Sequence, residues 1–190
     1  MNNFAKVYTM AIEKDINQGR SWYPKVWAWC KERGAQYGIN PFVVAGVVAI
    51  VSPRLTWKRN LKQADVILGA FRGQNELRSH GAFWNAIHKA DELLYTEDFS
   101  LISGNKVRAF YASIIGSSDS VAAIDAWMVK IHYGDLDGTF NTPSDNQYYQ
   151  IEQALFDAMI EVGFVGTLPE FQAIVWTTSR RLAKLQLTFV

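Results

Sequence analysis

The chain has 190 residues, nearly half of them apolar, which is enough to bury a core, and its one cysteine, Cys30, rules out a disulfide framework and a cysteine-held zinc or iron–sulfur site. A formal charge of +1 excludes a globally basic nucleic-acid binder, so a role on nucleic acid needs positive charge gathered on one face. No apolar run reaches the roughly 18 residues of a membrane span, and the N-terminus lacks a basic start followed by an apolar stretch, so a cytoplasmic protein that does not engage membranes is expected.

Phe4, Val7, Met10 and Ala11 recur at helical spacing and predict a first helix over residues 3–16. A second, over 21–37, has Pro24 in its first turn, Trp22, Val26, Trp29 and Cys30 on one side, and Gly38 as its stop. Asn40 and Pro41 then open a helix over 42–51 that is apolar on every face and therefore central to the fold. It ends at Ser52-Pro53, because the residue before a proline is pushed out of the helical region. Thr56 caps a helix over 57–71 that carries Lys58, Arg59 and Lys62, and a helix over 81–95 has Phe83, Trp84, Ile87, Leu93 and Leu94 as its apolar set. Helices over 101–115 and 121–133 follow, and then a loop rich in Gly, Asp, Asn, Thr and Pro over 134–143. Ser144 caps a helix over 148–162, and Thr167 with Pro169 starts a last one through 187. No segment alternates with period two, so the fold class is all-α.

Two reactive groups stand out. Lys106 follows a Ser-Gly-Asn turn at the start of one apolar helix, and Asp125 opens the next after a Gly-Ser-Ser-Asp-Ser break. Helix N-termini carry partial positive charge and favour the neutral form of a nearby amine. A deprotonated lysine is a nucleophile, and a carboxylate beside it stabilises a developing cation. Displacement at a sugar anomeric carbon, with its oxocarbenium-like transition state, uses both.

The pair resembles the helix-hairpin-helix DNA glycosylases, the superfamily of endonuclease III and 8-oxoguanine glycosylase. The matching residues are Gly104-Asn105-Lys106-Val107 and Ile124-Asp125-Ala126-Trp127-Met128, with Lys106 and Asp125 separated by 19 positions. Residues 43–60 are similar to the segment in which these enzymes run an apolar helix into a Ser-containing turn that enters DNA. Gln172-Ala173-Ile174-Val175-Trp176 looks like their Gln-Ala-x-x-Phe segment. The likeness spans roughly residues 40–185, and the missing cluster cysteines place it on the cluster-free branch.

The resemblance implies a two-lobed all-α fold, with one lobe over about 42–134, a degenerate helix-hairpin-helix at 100–115, and a second lobe from 1–40 and 135–190. It implies a monomeric DNA glycosylase with AP-lyase activity, using neither cofactor nor metal, on duplex DNA with a flipped base, 8-oxoguanine-like lesions being favoured. A prokaryotic or viral source suits so short a version. Lys106 becomes the Schiff-base nucleophile and Asp125 the stabiliser of the sugar cation. Gln172, Trp176 and Phe110 become base-binding residues, with Gln172 reading the polar edge and Trp176 stacking. Arg54 fills the vacated stack, and DNA contacts fall to Trp57, Lys58, Ser103, Gly104, Asn105, Arg108 and Trp127, with Arg59, Lys130, Arg180 and Arg181 as further phosphate partners. The chain departs from the family where Leu101-Ile102-Ser103-Gly104-Asn105 replaces a two-glycine hairpin, and where Trp127 replaces a phosphate-binding histidine.

Plainer roles stand beside these. A lysine after a turn is ordinarily solvated, and an aspartate at a helix start is ordinarily an N-cap. Gln172 suits a surface, and Trp176, Trp57, Trp84 and Trp127 suit a core. The helix with Lys58, Arg59 and Lys62 suits a solvated face, and His80, His88 and His132 are too scattered for a metal site. The same fold also admits an enzyme of nucleotides or hypermodified bases, or a DNA-binding module without catalysis.

Overall fold

A computed structural model describes residues 1–135 and 142–187, with side chains through 184. All secondary structure among the described residues is helical, and none of these helices is long and apolar enough to cross a membrane. Most of the loop expected over 134–143 lies outside the described residues. The chain divides into two compact units, one made of residues 1–24 with 116–190 and the other of 25–115. The sequence suggested divisions near 40 and 134.

In the first unit, α1 (Asn3–Thr9) and α2 (Glu13–Arg20) replace the single helix expected over 3–16. The break is made by distant residues as much as local ones. Asp15 Oδ2 accepts from the Ile12 amide at 3.2 Å and from Arg181 Nε at 2.8 Å, while Arg181 Nη2 donates to Met10 O at 2.7 Å. Asp15 is 3% exposed, a buried carboxylate held by a cation and an amide together.

The helix α3 (Trp22–Tyr37) begins in this unit, and α8 (Ala126–Tyr133), α9 (Asp145–Glu161) and α10 (Leu168–Leu187) complete it. Phe4, Met128, Ile131, Ile151, Leu155, Phe171 and Val175 form its core. The helix α10 lies so close to α2 that a Cβ on Gly19 would meet Ile174 Cα at 2.6 Å. Glycine is required there for helix–helix approach.

The segment 121–124, expected as helix, has no regular secondary structure, and Ala122, Ala123 and Ile124 in it are buried. Its backbone bonds are taken by side chains of α9: Tyr148 Oη donates to Ala122 O at 2.7 Å and accepts from the Ile124 amide, and Glu152 Oε1 accepts from the Ala122 amide at 2.8 Å. Those partners satisfy buried amides that a helix would otherwise have served.

In the second unit, the remainder of α3 is followed by α4 (Pro41–Ile50), α5 (Trp57–Phe71), α6 (Trp84–Thr96), a 3-10 turn (Phe99–Leu101) and α7 (Asn105–Ile115). Asn40 Oδ1 caps α4 by accepting from the Phe42 amide at 3.0 Å, with Pro41 in the first turn. Every residue from Val43 to Val51 is buried, and α5, α6 and α7 pack around them. Each valine there contributes on the order of 1.5–3 kcal/mol by leaving water, so this helix is the centre of the unit.

The helix α6 begins at Trp84 rather than at 81, because Gly81 has φ +106°. Phe83 and Trp84, expected in the core, are therefore outside it, at 48% and 52% exposure. Burial pushes the Cys30 thiol up to about 12, which makes it a packing group rather than a reactive one.

Candidate functional site

Lys106 sits in the first turn of α7. Gly104 before it has φ +87°, a left-handed conformation that turns the chain out of the 3-10 segment into the helix. The half-buried side chain of Lys106 donates through Nζ to Ser52 Oγ at 2.6 Å, and the ammonium lies 5.2 Å from the centre of the Phe110 ring, one helical turn on. Ser52 is itself buried, in the turn that ends α4. A hydroxyl can accept from a charged amine and donate to a neutral one, so Ser52 is a suitable partner for the lysine in either state. The Ser52-Pro53 turn is marked locally by its proline, but its bond to Lys106, 54 residues away, is not.

Around this centre, Arg54 adopts φ +60° and lays its guanidinium 5.5 Å over the exposed Phe83 ring. Trp57 is half-buried at the start of α5, and Lys58 beside it is exposed. At the turn before α7, Ser103 Oγ accepts from Lys89 Nζ at 3.0 Å, and Asn105 Oδ1 accepts from Arg108 Nη2 at 3.3 Å. Ser103, Gly104 and Arg108 are exposed.

In the other unit, Asp125 is the N-cap of α8. Its Oδ1 accepts from the amides of Trp127 and Met128, both at 3.0 Å, and its Oδ2 accepts from the indole Nε1 of Trp176 at 3.0 Å. The carboxylate is therefore fixed at a helix N-terminus by three donors from two helices. Trp176 packs its ring 5.2 Å from Trp22 and carries the Arg180 guanidinium 4.9 Å from its centre. Arg180 also lies over Trp127 at 5.4 Å, and Lys130 approaches the same ring at 5.3 Å. Trp127, where the resembled family has a histidine, is thus flanked by two cations and remains half-buried.

Gln172 lies one turn before Trp176 on α10 and has a different partner. It is 6% exposed, and its Oε1 accepts from Tyr23 Oη at 3.0 Å, which fixes the direction of the amide. Tyr23, Trp22 and Arg180 were legible only as an aromatic helix face and a basic residue; nothing local marks them as partners of Gln172 and Trp176. Among the described residues, no group of three or more His, Cys, Asp or Glu could hold a metal ion.

The arrangement supplies a lysine at one helix start with a hydroxyl partner, and an oriented carboxylate at another with indole and guanidinium groups around it. No curated protein and no solved structure matches the chain. The model of a family of unknown function (DUF7178) matches residues 1–183, and the chain belongs to that family.

Proposed function

We propose that the protein is a DNA glycosylase with AP-lyase activity that removes an oxidised or otherwise modified base. The observation that carries this is the setting of Lys106: an amine in the first turn of a helix, half-buried, held on a hydroxyl and against an aromatic face. Such a setting holds the amine in one place at a helix start, as a positioned nucleophile requires. The fixed carboxylate of Asp125, 19 positions on, is the second support.

In the proposed reaction the Lys106 nitrogen forms a bond to C1′ as the N-glycosidic bond breaks, and the base leaves with the electron pair and takes up a proton. The Asp125 carboxylate stabilises the positive charge on the sugar. The bonded nitrogen then loses a proton, its lone pair forms the C=N bond as O4′ leaves C1′ with the electron pair and takes up a proton, and the opened sugar is held as the Schiff base. Abstraction of a C2′ proton then expels the 3′ phosphate and nicks the strand. The target nucleotide leaves the base stack to reach Lys106, and Phe110 beside that amine contacts its base. On this reading the turn at Gly104 with α7 is the second half of a degenerate helix-hairpin-helix in a two-lobed glycosylase fold. Arg54, Trp57, Lys58, Ser103, Asn105, Arg108 and Trp127 touch the DNA.

Borohydride trapping tests this. Duplexes carrying 8-oxoguanine, an oxidised pyrimidine, 5-hydroxymethyluracil or an abasic site are mixed with protein and reductant, and covalent adducts are resolved on a denaturing gel. Wild type is expected to form an adduct and Lys106→Gln none. Absence of an adduct on every substrate, the abasic site included, would overturn the proposal.

A further inference from the structure

The unit of residues 25–115 carries an exposed aromatic pair that the proposed chemistry does not use. Phe83 and Trp84 are about half exposed and consecutive, one just before and one at the first position of α6. Several other rings of this chain are as exposed, Tyr95 and Tyr149 among them; what sets this pair apart is that the two are consecutive and have cations around them.

Their surroundings are positively charged. From Gly34 to Ala64 the chain has no Asp or Glu and four cations, Arg54, Lys58, Arg59 and Lys62; from Leu77 to Ala90 it again has no acid, and it has Arg78 and Lys89. The fold joins these two segments. Arg54 lies over Phe83, a Cβ on Gly81 would touch Leu55 Cδ2 at 3.3 Å, and Gln63 bonds both Arg78 O and the His80 amide, at 2.9 and 2.6 Å. Burial first, and then the charges of Lys62 and Arg78, hold the His80 imidazole below its usual range, in keeping with a positive field at this edge. Arg78 is partly neutralised by Glu76 at 2.7 Å, whereas Lys58, Arg59 and Lys62 project from the first turns of α5 and are exposed.

We infer that this surface binds unpaired nucleotides of a DNA strand, with bases stacked on Phe83 and Trp84 and phosphates on Arg54 and the Lys58-Arg59-Lys62 turn. Consecutive exposed rings beside a mostly basic segment match a polyanion with π-faces and suit neither an apolar helix, which would leave the cations unmatched, nor an acidic peptide, which would leave the rings unmatched. The choice of DNA over other single strands rests on the glycosylase reading; the stacking surface itself does not. It implies a substrate whose strand is open beside the processed nucleotide.

Fluorescence anisotropy with a fluorescein-labelled 12-mer of thymidylate tests this without any lesion or covalent step, so its result is independent of trapping at Lys106. Wild type is expected to bind the 12-mer more tightly than a blunt duplex of equal phosphate number. Phe83→Ala and Trp84→Ala each weaken binding about five-fold or more, in line with the loss of a stacked base, and Trp84→Phe restores most of it. Lys58→Gln flattens the dependence of log K on log salt by about 0.7. Equal affinity of the alanine variants and wild type, or preference for the duplex with no effect of the rings, would overturn the inference while leaving the chemistry at Lys106 untouched.

Discussion

The indole N–H of Trp176 donates to Oδ2 of Asp125 at 3.0 Å, across 51 residues of sequence, and completes the set of donors that begins with the Trp127 and Met128 amides. Trp176 thereby holds the carboxylate in place, a role separate from the base stacking that the resemblance implies for its ring. Trp176→Phe keeps a ring against Trp22 and Arg180 but removes the donor. A hydrogen bond to a charged group contributes about 1.5–3 kcal/mol, so single-turnover base excision is expected to slow by about ten-fold or more. Borohydride trapping on a preformed abasic site, which needs the amine and not the sugar cation, should stay near the wild-type rate. Equal losses in both assays would remove the positioning role.

Features written in adjacent residues were legible before the structure, and features made by long-range contact were not. Asn40 with Pro41 and Ser144 announce their helix starts, although the helix after Ser144 begins at Asp145 and not at 148, because a cap bonds to amides two or three residues away. Asp125 was readable as a helix opener for the same reason. Its partner Trp176, and the Ser52 partner of Lys106, lie more than 50 residues away and have no local signature. The break between α1 and α2 was missed because Arg181 stabilises it from α10. Phe83 and Trp84 were misplaced because periodicity assigns apolar residues to a core without knowing where the helix begins, and Gly81 delays that beginning.

Ser52 offers a graded test of the role proposed for Lys106. Ser52→Ala removes the hydroxyl on Nζ while leaving the first turn of α7 and the Phe110 ring in place. Adduct formation on abasic DNA is expected to slow by roughly five- to ten-fold, the loss of about one hydrogen bond, and still reach completion. Lys106→Gln should abolish it. A Ser52→Ala protein that traps at the wild-type rate would show that the hydroxyl has no part in presenting the amine.

Glu152 gives the first unit a pH-dependent term. Burial raises its carboxyl above the usual glutamate range, and the Ala122 amide on Oε1 pulls back only part of that shift. The folded state therefore binds this proton more tightly than the unfolded chain does. Its stabilising contribution is fully present below the ordinary glutamate pKa of about 4.3 and is lost as pH rises through the higher folded value. Glu152→Gln keeps an oxygen for the Ala122 amide and removes the charge. Urea midpoints measured from about pH 4 to 7 should show wild type losing stability relative to the glutamine variant as pH rises; parallel curves would refute the assignment.

Two close-packed glycines should respond differently to a methyl group. On Gly19 the added carbon meets the Ile174 backbone at 2.6 Å, and α10 cannot give way locally. On Gly46 it meets side-chain ends, Leu93 Cδ2 at 2.6 Å and Ile102 Cδ1 at 3.1 Å, which yield more readily than backbone. Overpacking costs about 1–3 kcal/mol, so Gly19→Ala is expected at or above the top of that range and Gly46→Ala near the bottom. Chemical denaturation of both variants decides the order, and the reverse order would contradict the packing described.

Arg54 is the residue whose backbone and side chain oppose each other. Its φ of +60° lies in the left-handed region, which costs a side-chain-bearing residue about 1–2 kcal/mol, yet the same conformation carries the guanidinium over Phe83 at 5.5 Å. Glycine adopts that φ without strain but loses more freedom on folding, by about 0.5–1 kcal/mol. Arg54→Gly should therefore hold or slightly raise the melting temperature. It also removes one cation and uncovers the Phe83 ring, so affinity for the thymidylate 12-mer should fall about five-fold and its salt slope flatten by about 0.7. Stability kept while binding is lost would identify the strained turn as one retained for its ligand. A variant both less stable and unimpaired in binding would make the turn a structural feature alone.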